Sequence, residues 1–356
     1  MFHNEEVMNV IIFEEGEIKM SQFQALVVDQ KGEDFSVSIQ KLSLEDLPQG
    51  EVLIRVHYSG VNYKDSLASI PNGNIVRSYP FVPGIDLAGV VVSSEDPRFK
   101  EGDEVIATSY EIGVSHFGGY SEYARIPADW IVPLPEGLSL KEAMIIGTAG
   151  FTAGLSVYRL EQNGLAPGQG KVLVTGATGG VGSFAVSILS KLGYEVEAST
   201  GKADEHEFLK QLGAENIISR EEVTSGGRPN SLAKQRWDAA VDPVGGEQLA
   251  SILSQMKLHG QVAVSGLTGG ASLPTTVFPF ILRGVDLLGI DSAYCDFENR
   301  QKVWQSLATN YKPNNLAQFV CKEVSLQELP NAFSILLNGQ AKGRIIVNIY
   351  DGNEDI

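Results

Sequence analysis

Cysteine is nearly missing: Cys295 and Cys321 are the two in 356 residues, far apart in sequence, so neither a disulfide framework nor a C-x-x-C pair can be built, and both read as free thiols. Histidine is sparse too. His3, His57, His116, His206 and His259 are scattered, and none stands at ligand spacing from a cysteine or another histidine. Positive charge is short, with 27 Lys and Arg against 44 Asp and Glu and a net charge of −17. That balance argues against a nucleic-acid or anionic-membrane partner, because Lys and Arg contacts to phosphate dominate those affinities. No apolar run reaches the ~18 residues of a membrane span. The early patch VMNVIIF follows Glu5 and Glu6 rather than a basic segment, so no signal peptide is indicated and the cytoplasm is the expected location. A serine-hydrolase reading fails for want of a G-x-S-x-G elbow.

What is present is a large core, 43% of residues being hydrophobic, in a chain long enough for two domains. Residues 1–19 are strongly acidic, and Met20 followed by SQFQALVV resembles a start. This extension is expected to be translated leader sequence rather than part of the native protein. From Gln24 to about Pro135, short β-rich runs (FQALVVD, VLIRVHYS, LAGVVVSS, DEVIATS, SEYARIP) alternate with Gly, Pro and Asp turns, which predicts a compact, mostly β domain. LKEAMIIGTAGFTAGLSVYRL then reads as a helix with Ser139 as N-cap and Glu142 in its first turn. From Lys171 the chain alternates VLVTG, SFAVSILSKLG, YEVEAST, EHEFLKQLG, NIIS, WDAAVDPVG, EQLASILSQMK, GQVAVSG and VDLLGID. That βαβα rhythm predicts an α/β fold with a parallel, doubly wound sheet. A closing strand, RIIVNIY, is expected to return to the first domain.

The turn GATGGVG (176–182) joins the first of these strands to its helix. Ala177 replaces the first glycine of the G-x-G-x-x-G pattern, so the match is weak alone, but strand before and helix after supply its context. Gly179 would let backbone approach a pyrophosphate, Gly182 would let helix and strand pack closely, and the helix N-terminus would offer N–H groups to the anion. At the tip of the second strand stand Ser199, Thr200, Gly201 and Lys202, with no acid for a ribose hydroxyl. A hydroxyl and an ammonium suit a 2′-phosphate, and Arg220 offers a second cation, so the expected cofactor is NADPH. Glu197 is the rival ribose acid, although strand alternation points it to the other face.

The order SGVNYKD, PFVPGIDLAG, DPRFKEGDEV, GGYSEYA, GTAGFTA, GATGGVG, DPVGG, PFILRGVDLLGIDS and KGRIIV resembles the medium-chain dehydrogenase/reductase superfamily. Within it the chain is similar to the zinc-free quinone oxidoreductase branch, in particular the YhdH/YhfP group that includes acryloyl-CoA reductase. The likeness runs from about Phe23 to Ile349. Where zinc members have Cys and His-Glu ligands, Asn62-Tyr63 and Ile85-Asp86 stand, so no metal is expected. The resemblance implies a GroES-like domain from residues 20–146 and 295–356, a Rossmann NADP(H)-binding domain from 147–294, and a homodimer through the strand near Val285 to Ile290. It implies that Thr178, Gly179, Gly180 and Val181 cradle the pyrophosphate and that Thr200, Gly201, Lys202 and Arg220 surround the adenosine phosphate. Leu267, Ile281, Ser292 and Arg344 would line the nicotinamide half, with Thr148 a weaker candidate.

The reaction expected from such a site is hydride transfer from NADPH to the β-carbon of an α,β-unsaturated carbonyl compound, with a donor stabilising the enolate. Tyr63 is the candidate donor and also a cofactor contact. Asn62 could add an amide donor and Asp65 could orient the loop, although both side chains could simply hold the turn. Asp86 could act as an acid, or pair with a basic residue to brace the domain. Arg77 and Arg283 are candidate partners for the phosphates of a CoA thioester. The alternatives are an NADPH:quinone reductase and a non-catalytic NADPH-binding redox sensor.

Overall fold

The computed structural model describes residues 22–227 and 231–350, together with the backbone of two short strands, Ile12–Glu14 and Glu17–Lys19. The rest of the acidic extension, and the expectation attached to it, lie outside the described residues. The strands expected from Lys171 onward form one six-stranded parallel sheet. Its order is Asn216–Ile218, Glu195–Ser199, Lys171–Val174, Trp237–Asp242, Met256–Val264 and Asp286–Gly289. Because the order reverses beside Lys171–Val174, the crevice beyond that strand's carboxyl end is where such sheets bind ligands. GATGGVG opens into it.

The other lobe is a seven-stranded sheet around Val52–Val61, which pairs with Asp86–Ser94, Tyr123–Ile126 and Arg344–Asn348. The closing strand Arg344–Asn348 joins this lobe as the sequence suggests, and brings Val320–Val324 with it in parallel. Two elements are absent from the expected strands and helices. Asp34–Leu42 pairs along its whole length with Phe23–Lys31; its Phe35, Val37 and Ile39 alternate with exposed Ser36, Ser38 and Gln40, a period-two pattern passed over in the sequence. The helix Tyr63–Ala68 is too short to show a helical period.

The helix Leu140–Gln162 ties the lobes together. Ser139 accepts from the Glu142 amide at 3.2 Å and Glu142 accepts from the Ser139 amide at 3.0 Å, a reciprocal cap. It is the one helix among the described residues long and apolar enough to cross a bilayer, yet 83% of its apolar window is buried inside the protein. One apolar cluster runs from Ala88, Ile106 and Val132 through Met144, Phe151 and Leu160 to Val172, Phe184, Val241 and Trp304. The helix is broken at Gly147, whose φ of 50° and ψ of −162° are not helical.

Candidate active site

The glycine turn is shaped by contacts that side chains would block. A Cβ on Gly182 would stand 2.3 Å from the Gly176 carbonyl oxygen, so the helix Gly180–Lys191 can lie against its strand only with glycine there. The N-cap Gly179 has no side chain to satisfy the first-turn amides. Gly179, Gly180, Val181 and Gly182 all line a cavity of about 610 Å³, so unpaired helix N–H groups are available to an anion there.

At the far end of this cavity stand Lys202 and Arg220. Lys202 Nζ donates to the Ala341 carbonyl at 2.6 Å, across to the other lobe. The Gly343 amide, from the same segment, donates to the Thr178 carbonyl at 3.0 Å. Arg220 lies over Gly201, where a Cβ would be 3.0 Å from its Nε. Glu197 is turned away and committed: it accepts from Trp237 Nε1 at 2.8 Å and Arg236 Nη2 at 3.3 Å. The two chemistries weighed for this strand tip thus separate, with the cations on the cavity and the acid in the interior.

Opposite the glycine turn, Val52–Val61 runs into Asn62, which caps Tyr63–Ala68. Tyr63 is therefore the first residue of a helix rather than part of a loop, and its side chain is half exposed on the cavity wall. Beneath it lies a buried polar network. Asn62 Nδ2 donates to Asp86 Oδ2 at 2.8 Å and Asp65 Oδ2 at 3.2 Å, while its Oδ1 accepts from Arg344 Nη1 at 2.8 Å. Arg344 also meets Asp86 Oδ2 at 3.4 Å, the brace considered for Asp86. Asp65 accepts from the Ile85 amide at 2.9 Å and the Asn62 amide at 2.9 Å. Of these two buried carboxylates only Asp86 reaches the guanidinium, while Asp65 is linked to it through Asn62. Burial, and then the charge of Asp86, push the Asp65 carboxyl up to about 6. Burial and the Asp65 charge hold the Tyr120 phenol well above its ordinary value.

The break at Gly147 belongs to this network. A Cβ there would stand 2.5 Å from Arg344 Nη2 and 2.6 Å from Asp86 Oδ2. The break also frees the Thr148 amide, which donates to both Asp86 oxygens at 3.1 and 3.0 Å, while the Thr148 hydroxyl donates to Oδ1 at 2.5 Å. A row of hydroxyls follows along the cavity: Ser109 Oγ lies 3.0 Å from Thr148 Oγ1, and Thr152 Oγ1 lies 2.8 Å from Ser292 Oγ.

Of the expected site residues, Asn62, Tyr63, Thr148, Thr178, Gly179, Gly180, Val181, Lys202, Arg220, Ser292 and Arg344 share the one cavity. Several differ from expectation. Asp65 is fully buried behind the wall and acts on Asn62 and Ile85, not on the cavity. Arg344 lines the cavity but commits four of its five N–H donors to Asp86, Asn62 and the carbonyls of Val61 and Ile145. Thr200 is buried behind Thr178, their hydroxyls 3.5 Å apart, and Gly201 lies under Arg220. Leu267 and Ile281 are 66% and 68% exposed and stand outside the cavity lining. Arg283 cannot meet a phosphate, because it is buried and donates to the carbonyls of Ala233, Ser254 and Met256. Arg77 is exposed and stands outside the cavity lining. Ser109 and Thr152 were not foreseen, since isolated hydroxyl residues carry no spacing signal. Among the described residues no group of three or more His, Cys, Asp or Glu could hold a metal ion.

Residues 48–136 match the family model of the alcohol dehydrogenase GroES-like domain, and residues 180–309 that of the zinc-binding dehydrogenases. A Bacillus subtilis protein named as a quinone oxidoreductase, YhfP, is 60% identical over 92% of this chain and 99% of its own. Its crystal structure with NAD bound superposes with a TM-score of 0.90, covering 92% of this chain and all of that one, at 59% identity. The acrylyl-CoA reductase AcuI of Ruegeria pomeroyi is 49% identical over 92% of this chain and 99% of its own. The yhdH oxidoreductase of Salmonella enterica, in a crystal structure with NADP, is 47% identical with a TM-score of 0.89, covering 92% and 100%.

Proposed function

Since the chain belongs to the quinone oxidoreductase-like group of the medium-chain dehydrogenases/reductases, we propose that this oxidoreductase uses NADPH to reduce the activated C=C bond of an α,β-unsaturated carbonyl compound, an acryloyl-CoA-like thioester or related enone. The observation that carries the reading is one cleft with two unlike ends. An uncapped glycine helix, Lys202 and Arg220 form the first, and Tyr63 with a hydroxyl row forms the second. When bound, the dihydronicotinamide supplies a hydride to the β-carbon. The chain supplies the rest: the phenol of Tyr63 donates to the carbonyl oxygen as charge develops and gives the α-carbon its proton, then recovers one from solvent. Asn62 is fixed by Asp65, Asp86 and Arg344, so the residue that precedes Tyr63 cannot swing.

The preference for NADPH rests on Lys202 and Arg220 at the strand tip and on Glu197 being engaged elsewhere; the NAD in the Bacillus subtilis relative makes NADH the necessary comparison. We further propose that the enzyme works without zinc, that its domains meet at 146/147 and 294/295, and that it is a cytoplasmic homodimer. The exposed Ile281, Leu282 and Phe278 beside the edge strand Asp286–Gly289 support the dimer. Quinone reduction is the second reading, favoured by the name of the Bacillus relative. Steady-state kinetics with NADPH and NADH against acryloyl-CoA, crotonyl-CoA, simple enones and a benzoquinone decide. A higher kcat/KM for a thioester or enone than for the quinone supports the proposal, the reverse order replaces it, and no NADPH turnover with any acceptor leaves the sensor.

A further inference from the structure

A further guanidinium is buried in this molecule and, like that of Arg283, is held without an acidic partner among the described residues. Arg300 is 1% exposed and forms no salt bridge among the described residues. The nearby carboxylates are occupied: Asp296 caps its own helix through Asn299, Asp291 accepts from the amides of Ala293 and Tyr294, and Glu298 pairs with Lys302. An uncompensated buried cation is costly, so what surrounds it must offset that cost. Nη1 lies 3.1 Å from the Thr108 carbonyl and 3.2 Å from its hydroxyl, and Nη2 lies 3.1 Å from each of the carbonyls of Ser292 and Ala293. The rings of Tyr110 and Phe151 stand 4.3 and 4.9 Å from Cζ. A planar fork with π faces available to it fits this socket, whereas an ammonium would lose half of the contacts.

The socket joins the three elements that form one end of the cleft. Thr108 and Tyr110 belong to the GroES-like lobe, Phe151 to the cross-lobe helix, and Ser292 and Ala293 to the segment leaving the last strand of the parallel sheet. Ser109 and Tyr110, between these holds, both have positive φ, 66° and 48°, a conformation that ordinary residues keep only under restraint. The Tyr110 amide donates at 3.1 Å to the Ala293 carbonyl that Arg300 also holds. Ser109 and Ser292, one on each side of the socket, are the outer members of the hydroxyl row.

We propose that Arg300 is a positioning residue for the nicotinamide half of the cleft: it locks the Ser292–Ala293 segment to the strained Ser109–Tyr110 turn and so sets the spacing of the hydroxyls between which the reacting ring lies. The proposal rests on the functional reading above. Arg300→Lys is expected to lower kcat by tenfold or more, in line with what ångström-scale misplacement costs. Adenosine 2′,5′-bisphosphate, which lacks the nicotinamide, should bind it as it binds the parent. Arg300→Ala should regain activity severalfold in millimolar guanidinium chloride and not in sodium chloride. A folded Arg300→Lys protein with the parent's kcat, or a folded Arg300→Ala protein indifferent to guanidinium, overturns the proposal. If the alanine variant does not fold, the kcat of Arg300→Lys decides alone. Should the parent reduce no acceptor, the functional reading fails separately, and the fluorescence of bound NADPH, expected to change in Arg300→Lys, still reports on the lock.

Discussion

Single residues divide between those whose chemistry can be read in isolation and those whose partners lie far away. Lys202 belongs to the first group: its place after a strand tip without acid is a sequence feature, and its ammonium lies on the cleft. Lys202→Ala should raise KM for NADPH roughly ten- to a hundredfold, the range for losing a charged hydrogen bond, and leave KM for NADH near the parent's. An equal loss on both cofactors would refute the assignment. Asp65 belongs to the second group, since its burial and its neighbour Asp86 could not be seen from the sequence. Its carboxyl is raised from the ordinary 3.8 to about 6, so the folded protein takes up this proton first. Stability from this group therefore rises as pH falls from above 6 toward 4, with its burial penalty present in full above that window. Denaturant unfolding at pH 7.5 and pH 5 should show a smaller gain on acidification in Asp65→Asn than in the parent. Arg300 was invisible for the same reason: its partner Thr108 lies 192 positions away.

Elements were legible where pattern and geometry agree. The parallel sheet announced itself through strand and helix in alternation, and the cap at Ser139 is where its motif put it. What composition could not reveal is the interruption at Gly147, because LKEAMIIGTAGFTAGLSVYRL is continuous in helical terms. Gly147→Ala should cost about 1–3 kcal/mol for the left-handed backbone alone, and more because the new methyl meets Arg344 and Asp86. Thermal unfolding is the check, and kcat should fall with it, since the Thr148 amide loses its place on the Asp86 carboxylate. A variant as stable as the parent would show that the break is incidental. Asp34–Leu42 was legible in principle, since Phe35, Val37 and Ile39 alternate with exposed polar residues, but its covered face is only half buried and its apolar signal correspondingly short.

For the molecule as a whole, the proposed homodimer gives the most direct measurement. Sedimentation at micromolar concentration should return twice the chain mass, and Ile281→Arg together with Leu282→Arg should return the monomer, with the fold retained because both side chains are exposed in the single chain. A parent that sediments as a monomer would remove the dimer. The outline of the two lobes could be read from the change of texture near Leu140, but their intimacy could not. One interior passes without interruption from Ala88 through Phe151 to Val241. A product ending before Leu140, or beginning after Gly164, would open that interior to water, and neither half could stand as an autonomous folding unit. New acceptor preferences on this scaffold must then arise by editing loops at the rim, not by trading lobes with a relative.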